Sequence, residues 1–165
     1  MGMSANGYIA KEDGNSEFTS EEDLKGFFEH SKSAGNIIMG KNTFLEASRR
    51  GYFPFPNSLN IVATHEKIKN TWGDKAVFTN KSPREILNML EGNKYNTAFL
   101  AGGGQLNTSF AKEKMIDEIY LDVEPLVFGK GIKIFAEENF EIELKLLEIK
   151  KLNQDTVQLH YIVIK

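Results

Sequence analysis

The chain has 165 residues, of which 41% are hydrophobic and 26% are charged, a composition typical of one globular domain with a sizeable core. Its formal net charge of −3 gives no electrostatic reason to expect a nucleic-acid partner. The absence of cysteine excludes disulfides and thiolate metal sites, and three scattered histidines make no structural zinc site. No apolar run has the length of a membrane span and no signal peptide is recognisable, so we expect a cytoplasmic protein that binds no membrane.

Strand and helix patterns alternate along the sequence. A first helix is predicted to begin after Thr19 or Ser20, because a capping hydroxyl is followed there by the acidic residues Glu22 and Asp23. Further helices are predicted to begin at 41, at 83 behind the N-cap Ser82, and at 106. Strands are predicted at 36–40, 59–63, 76–79, 97–101, 119–123, 142–149 and 157–164.

This alternation indicates a single α/β domain over residues 1–165, with a mostly parallel central sheet and helices on both faces. The last two strands, joined near residues 153–155, are predicted to form a C-terminal antiparallel hairpin. In such sheets a ligand binds outside the carboxyl ends of the parallel strands. The residues that follow those strands are therefore the candidates for a binding site.

Three turns that follow predicted strands carry residues suited to binding phosphate. Gly102, Gly103 and Gly104 each lose much backbone entropy on ordering, which makes sense where the backbone approaches a ligand closely. The helix N-terminus directly afterwards offers free N–H groups to an anion. The turns at 40–43 and 63–65 follow two other strands and are expected at the same edge of the sheet. Together they predict a dinucleotide clamp; a tight turn with positive φ and a solvated Lys41 are the alternatives.

Five segments, in their order along the sequence, resemble the dihydrofolate reductase superfamily, which includes the reductase domain of bifunctional riboflavin-biosynthesis enzymes. They are Met3–Ala10, Glu22–Phe27, Ile38–Phe44, Ala101–Gln105 and Glu124–Phe135. The first four resemble the superfamily's first strand and loop, its substrate-facing helix, its Met-Gly-Arg-x-Thr motif and its Gly-Gly-Gly motif. The fifth is similar to the riboflavin-type branch. The resemblance implies the three-layer fold of dihydrofolate reductase.

The resemblance implies NADPH as the cofactor. Lys41 and Thr43 would hold its phosphates, with Lys41 in place of the usual arginine and therefore without the planar fork of a guanidinium. Thr64 would lie near the adenosine 2′-phosphate, and Ala5 and Ile9 would flank the nicotinamide. The remaining implied cofactor-binding residues belong to the two glycine turns: Gly40, Asn42, Ala101, Gly102, Gly103, Gly104, Gln105 and Leu106.

The resemblance also implies a substrate site on the first helix. Asp23 stands where dihydrofolate reductases keep the acid that binds the pteridine ring, and Phe27 lies on the same helix face. Leu24 and Phe55 would line the same pocket. Burial beside the nicotinamide would raise the pKa of such a carboxyl and help it to assist proton transfer. The alternative for Asp23 is helix capping, since an acidic side chain in the first turn is favourable in any case.

The sequence departs from the dihydrofolate reductase pattern at several positions. Phe18, in the substrate region, replaces a tryptophan whose indole N–H would contact the substrate through water. Ser58 stands where an arginine grips the glutamate tail of folate. Arg49 and Arg50 could substitute for it, although solvation at the surface is the interpretation we favour. The sequence also begins within the first strand, which leaves a truncated start and a short strand as alternatives.

Asp122 replaces a threonine and leaves two interpretations open. If its side chain faces the substrate pocket it would oppose Asp23, and one of the two carboxyls would hold a proton near neutral pH and supply a general acid. The alternation of polar residues at 118, 120, 122 and 124 with apolar residues between them instead favours an outward Asp122.

These observations favour an NADPH-dependent reductase that transfers hydride to a pteridine, and we expect it to reduce dihydrofolate to tetrahydrofolate. The first alternative is the riboflavin-pathway reductase, which reduces the ribosyl group of a pyrimidine intermediate. The second is a nucleotide-binding module without reductase activity. The expected partners are small molecules of pterin or pyrimidine type, and both a monomer and a homodimer remain open.

Overall fold

The computed structural model describes all residues from 1 to 165. It contains ten strands and four α-helices, with a short 3₁₀ turn at Gly73–Lys75. The strands are β1 (Gly2–Ser4), β2 (Tyr8–Ala10), β3 (Asn36–Gly40), β4 (Leu59–Ala63), β5 (Ala76–Thr79), β6 (Leu100–Gly102), β7 (Glu118–Glu124), β8 (Ile132–Lys133), β9 (Glu143–Lys151) and β10 (Val157–Ile164). The helices are α1 (Glu21–Ala34), α2 (Lys41–Arg49), α3 (Pro83–Gly92) and α4 (Gly104–Lys112).

The strands form two four-stranded sheets and one small strand pair. The first sheet has the order β5-β4-β3-β6 and is parallel throughout. The second has the order β1-β7-β10-β9, in which β1 and β7 are parallel and the remaining pairs antiparallel. β2 pairs with β8 in an antiparallel ribbon. The mostly parallel α/β architecture is therefore confirmed, although its hydrogen bonding is divided between two sheets.

The core lies on both faces of the parallel sheet, as alternating side chains of its central strands require. Ile37 and Met39 of β3 pack in one apolar cluster together with Phe44 of α2. Ile38, which lies between them in sequence, packs in a second cluster with Leu90 of α3. Successive side chains of a strand point to opposite faces, so this division confirms that helices cover both sides of the sheet.

Helix starts follow the signals in the sequence. The hydroxyl of Ser20 accepts a hydrogen bond from the N–H of Asp23 and caps α1. Ser82 and Glu85 form a reciprocal capping box at the start of α3, with Pro83 as its first residue. α4 differs from the prediction, because it begins at Gly104 rather than at residue 106. A backbone that enters a helix from a glycine N-cap leaves no side-chain signal of where the helix begins.

The predicted C-terminal hairpin is present and is longer than expected. β9 and β10 pair along Glu143–Lys151 and Val157–Ile164, and the register shifts once, beside His160. All nine residues of β9 are exposed. No helix of the protein combines the length and the apolar character needed to cross a membrane.

Candidate active site

A cavity with a volume of about 1140 Å³ lies at the carboxyl ends of the parallel strands. The three turns singled out in the sequence all contribute to its wall, through 40–43 after β3, 63–65 after β4 and 103–106 after β6. Ile9 and Ala10 of β2, in the β2–β8 ribbon, line the cavity as well. The topology therefore brings together segments that are far apart in sequence, at the place where ligands bind in open α/β sheets.

Two helix N-termini meet in this wall. Gly40 is the N-cap of α2 and Gly103 is the N-cap of α4, and neither helix has a side chain that caps it. A Cβ atom on Gly40 would lie 3.9 Å from the backbone nitrogen of Gly103, so the two helix ends are neighbours. Uncapped N-termini present free N–H groups and the positive ends of two helix dipoles. Together they form a cradle suited to an anion such as a pyrophosphate.

The three glycines at the end of β6 and the start of α4 have three different roles. Gly102 has a φ of +82° and is buried outside the cavity, so it meets the expectation of a tight turn. A Cβ atom on Gly104 would collide with the carbonyl oxygen of Lys133, so this glycine permits close packing of two backbone segments. Of the three, only Gly103 lies in the cavity wall with room for a side chain. A Cβ atom on Gly103 would make ordinary contacts, with Thr43 Oγ1 at 3.6 Å and Ile9 at 3.9 Å. The glycine motif therefore serves both the tight turn and the wall of the cavity.

Lys41 lies in the cavity wall but is not a free cation. Its ammonium is paired with Glu66 Oε1 at 2.5 Å, and Glu66 also lines the cavity. Thr64, the residue expected beside a 2′-phosphate, accepts a hydrogen bond from the N–H of Glu66 through its hydroxyl. Lys81 and His65 line the same end of the cavity. This end contains both lysines of the cavity wall, but the carboxylates of Glu66 and Glu85 lie there as well, and Glu66 competes with a ligand for Lys41.

Asp23 is the buried acid of the cavity. It is the third residue of α1, is 5% exposed, and its Oδ1 atom has no hydrogen-bond partner. Burial raises the pKa of Asp23 to about 8, and a hydrogen bond with Asp122 and the negative charge of that neighbour act in the same direction. A buried carboxyl with an unpartnered oxygen in a cavity wall is a strong candidate for contact with a ligand.

Asp122 lies behind Asp23 rather than at the surface. It accepts a hydrogen bond from Gln158 Nε2 at 2.8 Å, and the terminal ammonium of Met1 lies 3.4 Å from its Oδ2. Burial acts to raise the pKa of Asp122, but the hydrogen bond with Asp23, the ammonium and Gln158 together hold it below the ordinary value. The two carboxyls therefore share one proton near neutral pH, with Asp23 protonated and Asp122 ionised.

The interpretation that alternation turns Asp122 outward is wrong, and the reason is geometric. The polar face of β7 is covered by the N-terminus of α1, so Asp122 and Glu124 are both buried. Glu124 accepts hydrogen bonds from the N–H and hydroxyl of Ser20 at 2.7 and 2.8 Å, and from the hydroxyl of Thr156 at 2.8 Å. Alternation correctly separates the two faces of a strand, but it does not reveal which face meets solvent.

An aromatic wall continues the cavity beyond Asp23. Phe27, one turn along α1, lines the cavity and contacts Phe55, with ring centroids 5.5 Å apart. Leu24 and Phe55 line it as well, and Phe55 is held by hydrogen bonds between its backbone and the side chain of Asn60. A carboxyl beside flat apolar surfaces is suited to a planar heterocycle.

Four residues of the predicted set do not reach the cavity. Ala5 is exposed and donates its N–H to the carbonyl of Leu126, which corrects the expectation that it flanks the nicotinamide. Phe18 packs edge-on against Phe128 at 4.9 Å, away from the substrate pocket. Gly102 and Asp122 lie directly behind the residues that form the wall. The other predicted site residues all line the cavity: Ile9, Asp23, Leu24, Phe27, Gly40, Lys41, Asn42, Thr43, Phe55, Thr64, Ala101, Gly103, Gly104, Gln105 and Leu106.

The region expected to bind a folate tail has no cation at Ser58, whose hydroxyl is bonded to Ser31. Arg49 is exposed and paired with Glu17 and Glu46, as its interpretation as a surface residue predicts. The interpretation as a surface residue is wrong for Arg50, which lines the cavity. Its guanidinium lies 4.8 Å from the ring centre of Tyr52. The cavity also uses residues that sequence reasoning missed, and no local signal marks them: Ser16, Thr19, Tyr52, Asn80 and Lys81.

These features fit a phosphorylated dinucleotide. The paired helix N-termini offer N–H groups to a pyrophosphate, the open Gly103 leaves room for close approach, and Lys41 and Lys81 supply positive charge at the same end. Asp23, whose Oδ1 is unpartnered, belongs to α1 and lines the same cavity, which has a volume of about 1140 Å³. The cavity can therefore hold a cofactor and a second molecule together.

Comparison with known proteins agrees with this description. Residues 1–158 match the family model of the RibD C-terminal domain. The protein is 33% identical over 168 aligned residues to the uncharacterized protein YwjB of Bacillus subtilis (strain 168), an alignment that covers 98% of this sequence and 94% of YwjB. It is 30% identical over 95 residues to the uncharacterized protein YyaP of the same organism, covering 58% of this sequence and 50% of YyaP.

Solved structures share the fold at low sequence identity. Acinetobacter baumannii RibD superposes with a TM-score of 0.81 at 15% identity, covering 100% of this protein and 57% of that one. A diaminohydroxyphosphoribosylaminopyrimidine deaminase/5-amino-6-(5-phosphoribosylamino)uracil reductase from Thermotoga maritima gives 0.79 at 13%, covering 99% and 55%. A pyrimidine reductase-like protein from Corynebacterium diphtheriae gives 0.74 at 15%, covering 99% and 90%. These superpositions confirm the predicted dihydrofolate reductase-like fold.

Proposed function

Because the protein belongs to the RibD C-terminal domain family, we propose that it is an NADPH-dependent reductase whose substrate is a pyrimidine that carries a ribosylamino group. The family assignment and a structural relative that is named as a 5-amino-6-(5-phosphoribosylamino)uracil reductase support this choice over dihydrofolate. The main expectation from the sequence, dihydrofolate reduction, thus gives way to its first alternative.

The observation that carries the proposal is the state of Asp23. The carboxyl is buried in the cavity wall, one of its oxygens lacks a partner, and its pKa is raised to about 8 by burial. A binding module has no need of a carboxyl that is protonated at neutral pH, whereas a reductase that must deliver a proton does. The adjacent aromatic wall of Phe27 and Phe55 suits a heterocyclic ring.

One set of cavity residues would bind the cofactor, and another would assist the transfer of the proton. The N-termini of α2 and α4, with Thr43 and Lys41, would hold the phosphates of NADPH. When bound, NADPH supplies a hydride, which the carbon of an acyclic imine group accepts while the imine nitrogen takes a proton. Asp23 would donate that proton. Its carboxylate would then take up a new proton from solvent through the cavity. Asp122, ionised and fixed by Gln158, keeps Asp23 in the protonated form.

The direct test is the oxidation of NADPH, followed by its absorbance, with 5-amino-6-(5-phosphoribosylamino)uracil and with dihydrofolate as separate acceptors. We expect turnover with the pyrimidine, and a loss of about 10²–10⁴-fold in kcat in Asp23→Asn, because a general acid is removed. The matched control is Glu22→Gln, since Glu22 is an exposed acid on the same helix turn. NADPH affinity should be unchanged in both variants.

Three outcomes would overturn parts of the proposal. Turnover with dihydrofolate alone would restore the folate assignment. NADPH binding without oxidation of either acceptor would favour a nucleotide-binding module. Full turnover by Asp23→Asn would remove Asp23 from the chemistry.

A further inference from the structure

Helices α1 and α3 both begin with a serine N-cap that is followed three positions later by an acid, but the two acids differ in their bonds. In α3 the carboxylate of Glu85 accepts hydrogen bonds from the N–H and the hydroxyl of Ser82, both at 2.9 Å. These bonds hold the pKa of Glu85 below its ordinary value. This is the capping box that such a sequence ordinarily forms. In α1 the equivalent acid is Asp23, yet both donors of Ser20 bond a different carboxylate.

Glu124 of β7 supplies the carboxylate that completes the cap of α1. The N–H and the hydroxyl of Ser20 donate to Glu124 Oε1 at 2.7 and 2.8 Å, which reproduces the pattern of the box in α3. Thr156 of β10 donates its hydroxyl to the other oxygen of Glu124 at 2.8 Å. Glu124 and Thr156 are both buried. The acid of this capping box therefore comes from a strand 104 residues away in sequence rather than from the helix itself.

The exchange leaves the carboxyl of Asp23 free. The hydroxyl of Ser20 still accepts a hydrogen bond from the N–H of Asp23 at 3.3 Å, so the start of the helix is capped without the Asp23 side chain. The Oδ1 atom of Asp23 has no partner, and the residue lines the cavity. An N–H donor to this carboxyl would stabilise its ionised form and lower its pKa. Because Glu124 occupies that donor, the pKa of Asp23 remains raised by burial.

We propose that Glu124 is a positioning residue for Asp23, because it occupies the cap of α1 and so keeps the Asp23 carboxyl available to a ligand in the cavity. The use of that carboxyl as a proton donor rests on the proposed function, whereas the exchange of capping partners does not. Glu124 has two effects on Asp23, one through its reach to Ser20 and one through its charge. The charged groups that face Asp23 are Asp122, Glu124 and the terminal ammonium of Met1, and the β10 side chains bonded to the two carboxyls are the uncharged Thr156 and Gln158.

Two substitutions of Glu124 separate its reach from its charge. Glu124→Asp keeps the charge but is one methylene group shorter, so its carboxylate no longer reaches the N–H of Ser20. Asp23 should then accept this N–H, and its pKa should fall by about two pH units from about 8. Glu124→Gln keeps the capping oxygen and loses the charge, so the pKa of Asp23 should fall by only about half a pH unit. The pKa is measured without substrate, by ¹³C NMR titration of labelled aspartate, and the Asp23 signal is identified by its absence in Asp23→Asn.

The order of the two variants decides the test. If Glu124 acted through charge alone, Glu124→Gln would lower the pKa of Asp23 more than Glu124→Asp, and that order would overturn the proposal. An unchanged pKa in Glu124→Asp would overturn it as well. Ser31→Ala is the matched control, because it removes a buried hydroxyl at the other end of α1, where Ser31 bonds Ser58. This variant should leave the pKa of Asp23 unchanged, and thermal denaturation compares its loss of stability with that of Glu124→Asp.

The amide of Ser20 gives a second measurement that leaves Glu124 in place. In Asp23→Asn the hydrogen exchange of this amide should match that of the wild-type protein, because Glu124 remains its acceptor. Exchange that is about tenfold faster in Asp23→Asn would identify Asp23 as the acceptor and overturn the proposal.

Turnover links the positioning role to the proposed function. In Glu124→Asp, kcat with the pyrimidine should fall by about tenfold or more at neutral pH, while KM and the affinity for NADPH are retained. Glu124→Gln should recover most of this loss. The expected order of pKa values in a protein without turnover would support the positioning role and refute the proposed function.

Discussion

Asp23 lies in the first turn of a helix, where an acidic side chain is favourable in any case, and yet it is held in its neutral form. The reason is that the helix start is buried against β7, whose Asp122 and Glu124 bring two further carboxyls to the same place. Glu124 accepts hydrogen bonds from three donors and Asp122 from Gln158 and the terminal ammonium, whereas the Oδ1 atom of Asp23 has no donor. Burial and these neighbours together determine its protonation.

This arrangement predicts the pH dependence of turnover. The pKa of Asp23 lies at about 8, so kcat should fall as the pH rises through this value and the acid loses its proton. Asp122→Asn removes the negative neighbour that raises the pKa, and should shift the descending limb to lower pH. The profile is measured from steady-state rates at saturating substrate. Glu118→Gln, an exposed position on β7, serves as the control and should leave the limb in place; an unshifted limb in Asp122→Asn would contradict the pairing.

The same pKa predicts a cost in stability. Asp23 ionises near its ordinary value of 3.8 in the unfolded state and at about 8 in the folded one. Between these values the folded state binds more protons than the unfolded state, so stability falls as the pH rises. Asp23→Asn removes this dependence and should raise Tm at pH 8 by about 3 °C or more. The gain should shrink toward pH 5, as measured by thermal denaturation, and a gain that is independent of pH would contradict the assignment.

Glu66 is paired with Lys41, so we expect removal of the Glu66 carboxylate to increase the affinity for NADPH. Glu66→Gln frees the ammonium and removes a negative charge from the end of the cavity that contains Lys41 and Lys81. NADPH should then bind more tightly, by about two- to fivefold. Affinity is followed by the fluorescence of bound NADPH, at two salt concentrations because the pair is exposed. In a Lys41→Ala background most of this gain should disappear; its full persistence would show that Lys41 does not contact the cofactor.

Among the secondary-structure elements, the glycine turn that leads into α4 has one glycine needed for folding and another needed for binding. Gly104 accommodates the backbone of Lys133, so Gly104→Ala overpacks this contact and should lower Tm by about 5 °C or more. Gly103→Ala meets only ordinary contacts and should keep its Tm, while NADPH affinity falls by about tenfold because the new methyl group enters the phosphate cradle. Thermal denaturation and a binding titration on both variants test the distinction. A lower Tm in Gly103→Ala would show that Gly103 is needed for the turn itself rather than for binding.

Elements also show where sequence reasoning succeeds and where it stops. Ser20 and Ser82 are N-caps because their hydroxyls precede acidic residues, and the local sequence contains this information. The side of β7 that carries Asp122 depends on where α1 packs, and residues about a hundred positions earlier decide this. Arg50 reaches the cavity for the same reason, since a position directly after a helix does not specify which surface it faces. Local signals thus predict the elements, whereas the buried acid pair needs the tertiary structure.

At the scale of the whole molecule, the cavity wall joins the two sheets. The parallel sheet contributes the helix N-termini after β3 and β6, while Ile9 and Ala10 lie on the β2–β8 ribbon and α1 brings Asp23 from the side of β7. The order of elements along the sequence was sufficient to predict that the three glycine and threonine turns meet. It could not predict that the cavity proposed to hold the cofactor would also lie between the sheets.

A ligand that fills this joint should stabilise the whole domain. NADPH at about a hundred times its Kd should add about 2.7 kcal/mol, which corresponds to a rise in Tm of roughly 5–10 °C for a domain of this size. Asp23→Asn should show the same rise, because Asp23 is not one of the residues proposed to hold the phosphates, and Lys41→Ala should show less. NADH at the same concentration should give a smaller shift, since it lacks the 2′-phosphate that Lys41 and Thr64 are proposed to meet. Differential scanning calorimetry measures all four cases, and equal shifts with NADH and NADPH would mean that this end of the cavity does not recognise the phosphate.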